Sequence, residues 1–230
     1  PAAPGTADLD AGSDSGSSDT DDITSNTTPT ISGTAEAGST VSLSSDVSGA
    51  LGTTTADGTG NWSITTSTLA EGAHALTSTA TDAAGNAGTA SAALTITVDT
   101  TVPVAPSAPD MADASDSGSS ITDDITSTTD PIISGTAEAG STVSLSSDVS
   151  GTLGTTTANG AGLWLIITST LAEGAHALTS TATDVAGNPS ATSAVLAITI
   201  DTTNPAAPGT ADLDAGSDSG SSDTDDITSN

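Results

Sequence analysis

The feature that most constrains this chain is that it repeats itself. Residues Pro1–Asn26 recur unchanged as Pro205–Asn230, 204 positions further on. Half that offset, 102, superimposes two central copies without a gap, carrying Ile23 onto Ile125, Trp62 onto Trp164, His74 onto His176, Asp82 onto Asp184 and Asp99 onto Asp201. The chain is therefore read as one unit at 1–102, a second at 103–204 and the opening of a third at 205–230. Units of about 100 residues can each enclose a core, unlike the short units of solenoids. Separate beads joined in series are the expected arrangement.

Within each unit apolar and polar residues alternate with period two, the mark of half-buried strands. Ile31, Gly33 and Ala35 share one face, as do Val41, Leu43 and Val47. Trp62 with Ile64, and Leu94 with Ile96 and Val98, repeat the alternation. Turn-forming segments separate these runs at Glu36–Ser39, Val47–Gly49, Ala56–Gly58, Ala70–Gly72 and Ala84–Asn86. Serine and threonine fill the outward positions, which suits strands in water. With a short first strand near the Asp-rich start, each unit has about seven strands, and an all-β antiparallel sandwich is their natural closure. Trp62 and Trp164 are expected at the core centres. Large apolar side chains are few, and alanine is expected at many inward sites. Apolar burial contributes roughly 25 cal/mol per Å², so this thin core leaves little margin over chain entropy. A ligand that binds only the folded state would supply more.

Charge points the same way. The chain carries 29 acidic side chains, two histidines and no lysine or arginine, a net charge of −29. No side-chain cation is present to pair with them, so the countercharge must come from solvent, and divalent metal is its efficient source. Nucleic acid is excluded as a partner, because binding there rests on lysine and arginine neutralising phosphates. Cysteine is absent, so neither disulfides nor thiolate metal sites are available. No apolar run approaches a membrane span and no signal peptide is recognisable. The chain is expected to be soluble and to take its address from a longer parent.

The stretch Leu69–Asn86, repeated at Leu171–Asn188, resembles the final hairpin of bacterial immunoglobulin-like repeats. So do Asp14–Thr24, Pro29–Gly38 and Asp99–Pro103. Such repeats form the long extender regions of RTX-type surface adhesins of Gram-negative bacteria. The resemblance implies tandem immunoglobulin-like sandwiches placed end to end as a monomeric, extracellular rod. It further implies calcium (Ca2+) at the domain junctions, neighbouring repeats as partners and adhesive modules elsewhere in the parent chain.

Strand order suggests where metal would sit. If the first strand starts at the top of a bead, the turns at Glu36, Asp57 and Asp82 share the top with the Asp-rich start, Asp14, Asp21 and Asp22. The last strand then delivers Asp99 to the top of the next bead. Each junction is expected to gather Asp99, the acids Asp116, Asp123 and Asp124, and the Asp184–Asn188 turn, with Glu138 on the same end. Asp201 with Asp212, Asp218, Asp225 and Asp226 would form an incomplete copy. Calcium takes six to eight oxygens, mixing carboxylates with backbone carbonyls. Asp19 is replaced by Ile121 and Asp10 by Ala112, so neither is a universal ligand, and no EF-hand loop or glycine-rich nonapeptide is present. Asp46 and Asp148 read as solvating charges.

The remaining residues read plainly. His74 and His176 are expected to pack as core histidines beside Leu76 and its equivalent. Regular threonines invite an ice-binding hypothesis, which the twist of short strands disfavours. Asn61, Ser63 and Thr65 become Leu163, Leu165 and Ile167 on an outer face, a contact surface or one covered by a neighbouring segment. No nucleophile or acid–base pair is arranged for catalysis, so the chain is read as no enzyme. A spacer is the leading function, and a module that itself grips a glycan or protein is the alternative.

Overall fold

The computed structural model describes residues 1–211. The expectations placed on Asp212, Asp218, Asp225 and Asp226 fall outside the described residues. Each bead is an all-β sandwich of eight strands. In the first these are β1 (Asp8–Leu9), β2 (Ile23–Thr24), β3 (Thr30–Thr34), β4 (Thr40–Ser45), β5 (Gly49–Thr55), β6 (Asn61–Thr65), β7 (Gly72–Thr81) and β8 (Leu94–Val98). The second repeats them as β9 (Asp110–Met111), β10 (Ile125–Thr126), β11 (Ile132–Thr136), β12 (Thr142–Ser147), β13 (Gly151–Thr157), β14 (Leu163–Ile167), β15 (Gly174–Thr183) and β16 (Leu196–Ile200).

Two sheets face each other in each bead, ordered β1-β3-β6 and β2-β8-β7-β4-β5 in the first. The eighth strand, beyond the expected seven, arises because the first strand is split. Its early part, β1, runs antiparallel to β3 in the small sheet, and its late part, β2, crosses to pair in parallel with β8 in the large one. The acidic segment Asp10–Asp22 is the crossing itself.

That crossing overturns one expectation. The turns carrying Glu36, Asp57 and Asp82 do share the upper end of the bead, since Thr40 lies opposite both Thr55 and Thr81, and Thr34 opposite Asn61. The acidic segment lies at the lower end instead. Thr97 N donates to Asp22 O at 2.8 Å and Asp99 N to Thr24 O at 2.9 Å, so the acids sit where β8 leaves the bead. The reason is topological: residues 1–9 have already run down the edge of β3 before the Asp10–Asp22 segment begins. Gly5 N bonds Thr34 O near the top, and Asp10 N bonds Thr30 O near the bottom. Asp116, Asp123 and Asp124 likewise lie at the far end of bead two, beside Asp201, and not with Asp99 and Asp184.

The core is more aliphatic than expected. Ile31, Val41, Leu43, Leu69, Leu76 and Ile96 are fully buried, and Trp62 joins them at 3% exposure. Alanine fills few inward sites, Ala7, Ala56 and Ala80; serine fills others, Ser39, Ser45, Ser78 and Ser91. The Ser91 hydroxyl is satisfied, its Oγ accepting Ser78 N at 3.1 Å and donating to Ala92 O at 2.8 Å, whereas the buried Ser78 hydroxyl has no partner among the described residues. Trp62 lies flat across Gly33, where an added Cβ would meet its ring at 2.7 Å, so glycine there is a packing requirement. Val47, expected inside, is 62% exposed at the β4–β5 hairpin. β4 keeps its alternation only to its end at Ser45, and Val47 lies beyond it in the turn that leads into β5.

Candidate metal loop and interdomain junction

The acidic loop is held from below by buried polar groups. Thr24 Oγ1, fully buried, donates to Ser13 O at 2.5 Å, and Ser13 Oγ accepts Thr30 N at 2.9 Å. These bonds drive Asp14 inward, to 7% exposure. Its Oδ2 accepts Asp22 N at 3.2 Å, whereas its Oδ1 is buried with no hydrogen-bond partner. Asp116 repeats this at 5% exposure, with Oδ2 accepting Asp124 N at 3.2 Å and Oδ1 unpartnered. Asp22 and Asp124 take left-handed backbone angles, φ 59° and 57°, rare for residues with a Cβ.

Asp8, Asp14, Asp19 and Asp22 line one cleft of about 230 Å³. Burial pushes the Asp14 carboxyl up, with the nearby charges of Asp21 and Asp19 adding to it. Burial raises Asp22 too, reinforced by Asp14, Asp8 and Asp21, and raises Asp124, reinforced by Asp116, Asp110 and Asp123. Asp21 and Asp123 turn back to accept Ile23 N at 3.1 Å and Ile125 N at 3.3 Å. Among the described residues no group of three His, Cys, Asp or Glu side chains is drawn together tightly enough to hold a metal ion. The orphaned Oδ1 atoms are the features of this loop that fit a cation.

The other expected ligands are engaged locally. Asp82 Oδ1 accepts Ala84 N and Asn86 N, both at 2.9 Å, and Oδ2 accepts Asn86 Nδ2 at 2.8 Å. The Asn86 bonds, with the Ala84 N–H adding to them, hold the Asp82 carboxyl below its ordinary value. Asp184 holds Asn188 in the same way, at 2.8 and 2.9 Å. Asp99 and Asp201 cap their own linkers through Thr101 N and Thr203 N, each at 3.0 Å. Glu36 lies beside the Asp82 turn. Glu138 occupies the equivalent turn before β12, its carbonyl accepting Ser141 Oγ at 2.7 Å.

The junction is built from the bottom of bead one and the top of bead two. Ser15 Oγ donates to Ala186 O at 2.5 Å, Ser17 N donates to Val185 O at 3.3 Å, and Asn188 Nδ2 donates to Asp99 O at 2.8 Å. Glu71, read from sequence only as part of a turn, holds the linker. Its Oε2 accepts Thr100 N at 2.9 Å and Thr100 Oγ1 at 2.6 Å, and its Oε1 accepts Thr101 Oγ1 at 3.3 Å. Glu173 does the same to Thr202 and Thr203. No sequence signal singles out this pair, because the gapless repeat keeps every spacing constant. Asp46 and Asp148 are also more than solvating charges: each accepts a β7 or β15 backbone N–H, Ala75 or Ala177, at 2.8 Å.

His74 is a satisfied core histidine, 1% exposed, between Ser45 Oγ and Ala70 O at 2.9 Å each. The outer stripe of bead two is open: Leu163, Leu165 and Ile167 are all more than half exposed.

Two facing sheets, antiparallel except where β2 and β10 pair in parallel with β8 and β16, a split first strand and serial junctions define a tandem immunoglobulin-like sandwich protein. The model of the bacterial Ig-like domain family matches residues 2–100 and 101–202, and the chain belongs to that family. The family is structural, and the chain is not an enzyme. No curated protein matches the sequence. Among solved structures, the chain is similar to the BSP domain of a biofilm associated protein, at 24% identity over 79% of this chain and TM-score 0.32, covering 29% of that protein's chain. It is also similar to fibronectin(III)-like modules of CbhA from Clostridium thermocellum, at 16% identity, 77% and 87% coverage and TM-score 0.44. The human OSCAR ligand-binding domain matches at 14% identity, 76% and 93% coverage and TM-score 0.34.

Proposed function

We propose that the chain is a spacer from the extender region of a large RTX-type bacterial surface adhesin, an extracellular monomeric rod that projects adhesive modules from the cell. The observation that carries this reading is the junction. Two nearly identical beads meet end to end through hydrogen bonds and a clamped linker, an arrangement suited to reach and stiffness rather than to a unique site. Calcium is the proposed stiffener. Its place is the acidic loop of each bead: Asp14 and Asp22 with Asp8 and Asp19 in the first, Asp116 and Asp124 with Asp110 in the second. The Asp99, Asp184 and Asp201 side chains already cap their own turns and linkers, and support this role less well. A cation in the loop would neutralise carboxylates that burial and mutual repulsion now disfavour. Thermal unfolding during a calcium titration tests the calcium part. The melting temperature should rise with calcium and fall in chelator, with magnesium a poor substitute; no response at low salt excludes calcium stiffening.

The exposed stripe on β14 favours a second reading, in which bead two itself docks a partner. The stripe borders a groove of about 620 Å³ lined by Ser107, Asp110, Thr136, Asn159, Leu163 and Leu165. Restoring the bead-one residues Asn, Ser and Thr at 163, 165 and 167 would abolish such docking and leave the spacer intact.

A further inference from the structure

The two copies of one turn differ in a way their own sequence does not explain. Asp82–Asn86 and Asp184–Asn188 share the same internal hydrogen bonds, Asp Oδ1 to the Asn backbone N–H and Asp Oδ2 to Asn Nδ2. Yet Asp184, Ala186 and Asn188 are buried, at 4%, 0% and 8% exposure, whereas Ala84 and Asn86 are exposed. The difference is made by bead one. Its Ser15-Gly16-Ser17 segment and the Asp99 carbonyl receive the second turn through the three hydrogen bonds of the junction. Glycine sets the fit on both sides. Gly16 has φ +104°, and a Cβ there would lie 1.9 Å from Val185 O; a Cβ on Gly187 would lie 3.1 Å from Gly16 Cα.

Among the described residues, the same parts lie open at the outer ends. Bead one carries the turn Asp82-Ala83-Ala84-Gly85-Asn86 at its top. Bead two carries Ser117-Gly118-Ser119 at its bottom, with Gly118 at φ +110° and, among the described residues, nothing within 4 Å of an added Cβ. We infer that the Asp-Xaa-Ala-Gly-Asn turn is a plug and the Ser-Gly-Ser segment a socket, a docking surface whose partner is another copy of this repeat. The contact is head to tail, so it propagates along an array instead of closing. It is made by neutral hydrogen bonds and glycine backbone, and it holds the angle between beads without metal. This inference rests on the spacer reading but not on its calcium.

Residual dipolar couplings of the whole chain, measured in excess chelator and again in calcium, test it. Wild-type beads should share one alignment tensor in chelator. Gly16→Ala should lose it, while Gly118→Ala, which imposes the same backbone strain without a neighbour, should keep it. If Gly16→Ala fails to fold, Asn188→Ala against Asn86→Ala makes the same comparison, because only Asn188 bonds the Asp99 carbonyl. Equal behaviour within either pair overturns the plug and socket. Wild-type beads that share a tensor only in calcium also overturn it, and leave the calcium reading standing.

Discussion

The Glu71 carboxylate grips Thr100 through both its backbone N–H, at 2.9 Å, and its hydroxyl, at 2.6 Å, across the point where the chain leaves the first bead. These bonds hold the Glu71 carboxyl below its ordinary value of 4.5. A group whose folded pKa is depressed contributes above its unfolded pKa, and that contribution is lost as pH falls through the folded pKa. The clamp is therefore expected to release under acid. Glu71→Ala should loosen the linker at neutral pH, seen as a broader distribution of sizes in small-angle scattering. In an NMR titration, Thr100→Val should return the Glu71 carboxyl towards 4.5; a Glu71 carboxyl that titrates identically in both proteins would refute the clamp.

Asp14 has the opposite sign. Its folded pKa is raised from 3.8, mainly by burial. Its contribution is present below that value and lost as pH rises through the folded pKa, so at neutral pH without metal the charge strains the loop. Asp14→Asn should leave the melting temperature in chelator equal to wild type or higher, and should shrink the rise that calcium produces. Asp116, whose Oδ1 is likewise buried without a partner, gives the matching test in bead two: Asp116→Asn should shrink the calcium response there. A full calcium response in the double variant would remove the acidic loop from the proposed site.

The core should behave as close-packed. Leu76 is fully buried, and Leu76→Ala should cost roughly 2–5 kcal/mol. Gly33→Ala drives a methyl into the Trp62 ring and should cost about 1–3 kcal/mol. Each bead has one tryptophan, so denaturant unfolding followed by fluorescence in Trp62→Phe and Trp164→Phe backgrounds assigns each loss to its own bead.

The β14 stripe should be separable from stability. Leu163→Asn, Leu165→Ser and Ile167→Thr together replace exposed apolar side chains with those of bead one. Stability should change by within about 0.5 kcal/mol per site, while binding of an apolar dye should fall. Substantial unfolding would show that the stripe is covered and structural.

Much of this protein was legible in its residues. The 102-residue identity set the number of beads, and the period-two alternation around Ile31, Leu43, Trp62 and Ile96 set the strands and the inward faces. Both are local or self-referential properties, readable without knowing which segments meet. The grouping of the Glu36, Asp57 and Asp82 turns at one end followed from counting strand reversals. The count failed at the start of each bead, because nothing local marks that the first strand runs down one sheet, crosses and ends in the other. That crossing alone decides that Asp14 and Asp22 lie beside Asp99 and not beside Asp82. Tertiary structure likewise decided the grip of Glu71 on Thr100, which joins residues distant in the chain. It decided the burial of Asn188 where Asn86 is open, since two turns with the same internal hydrogen bonds differ there by what is docked against them.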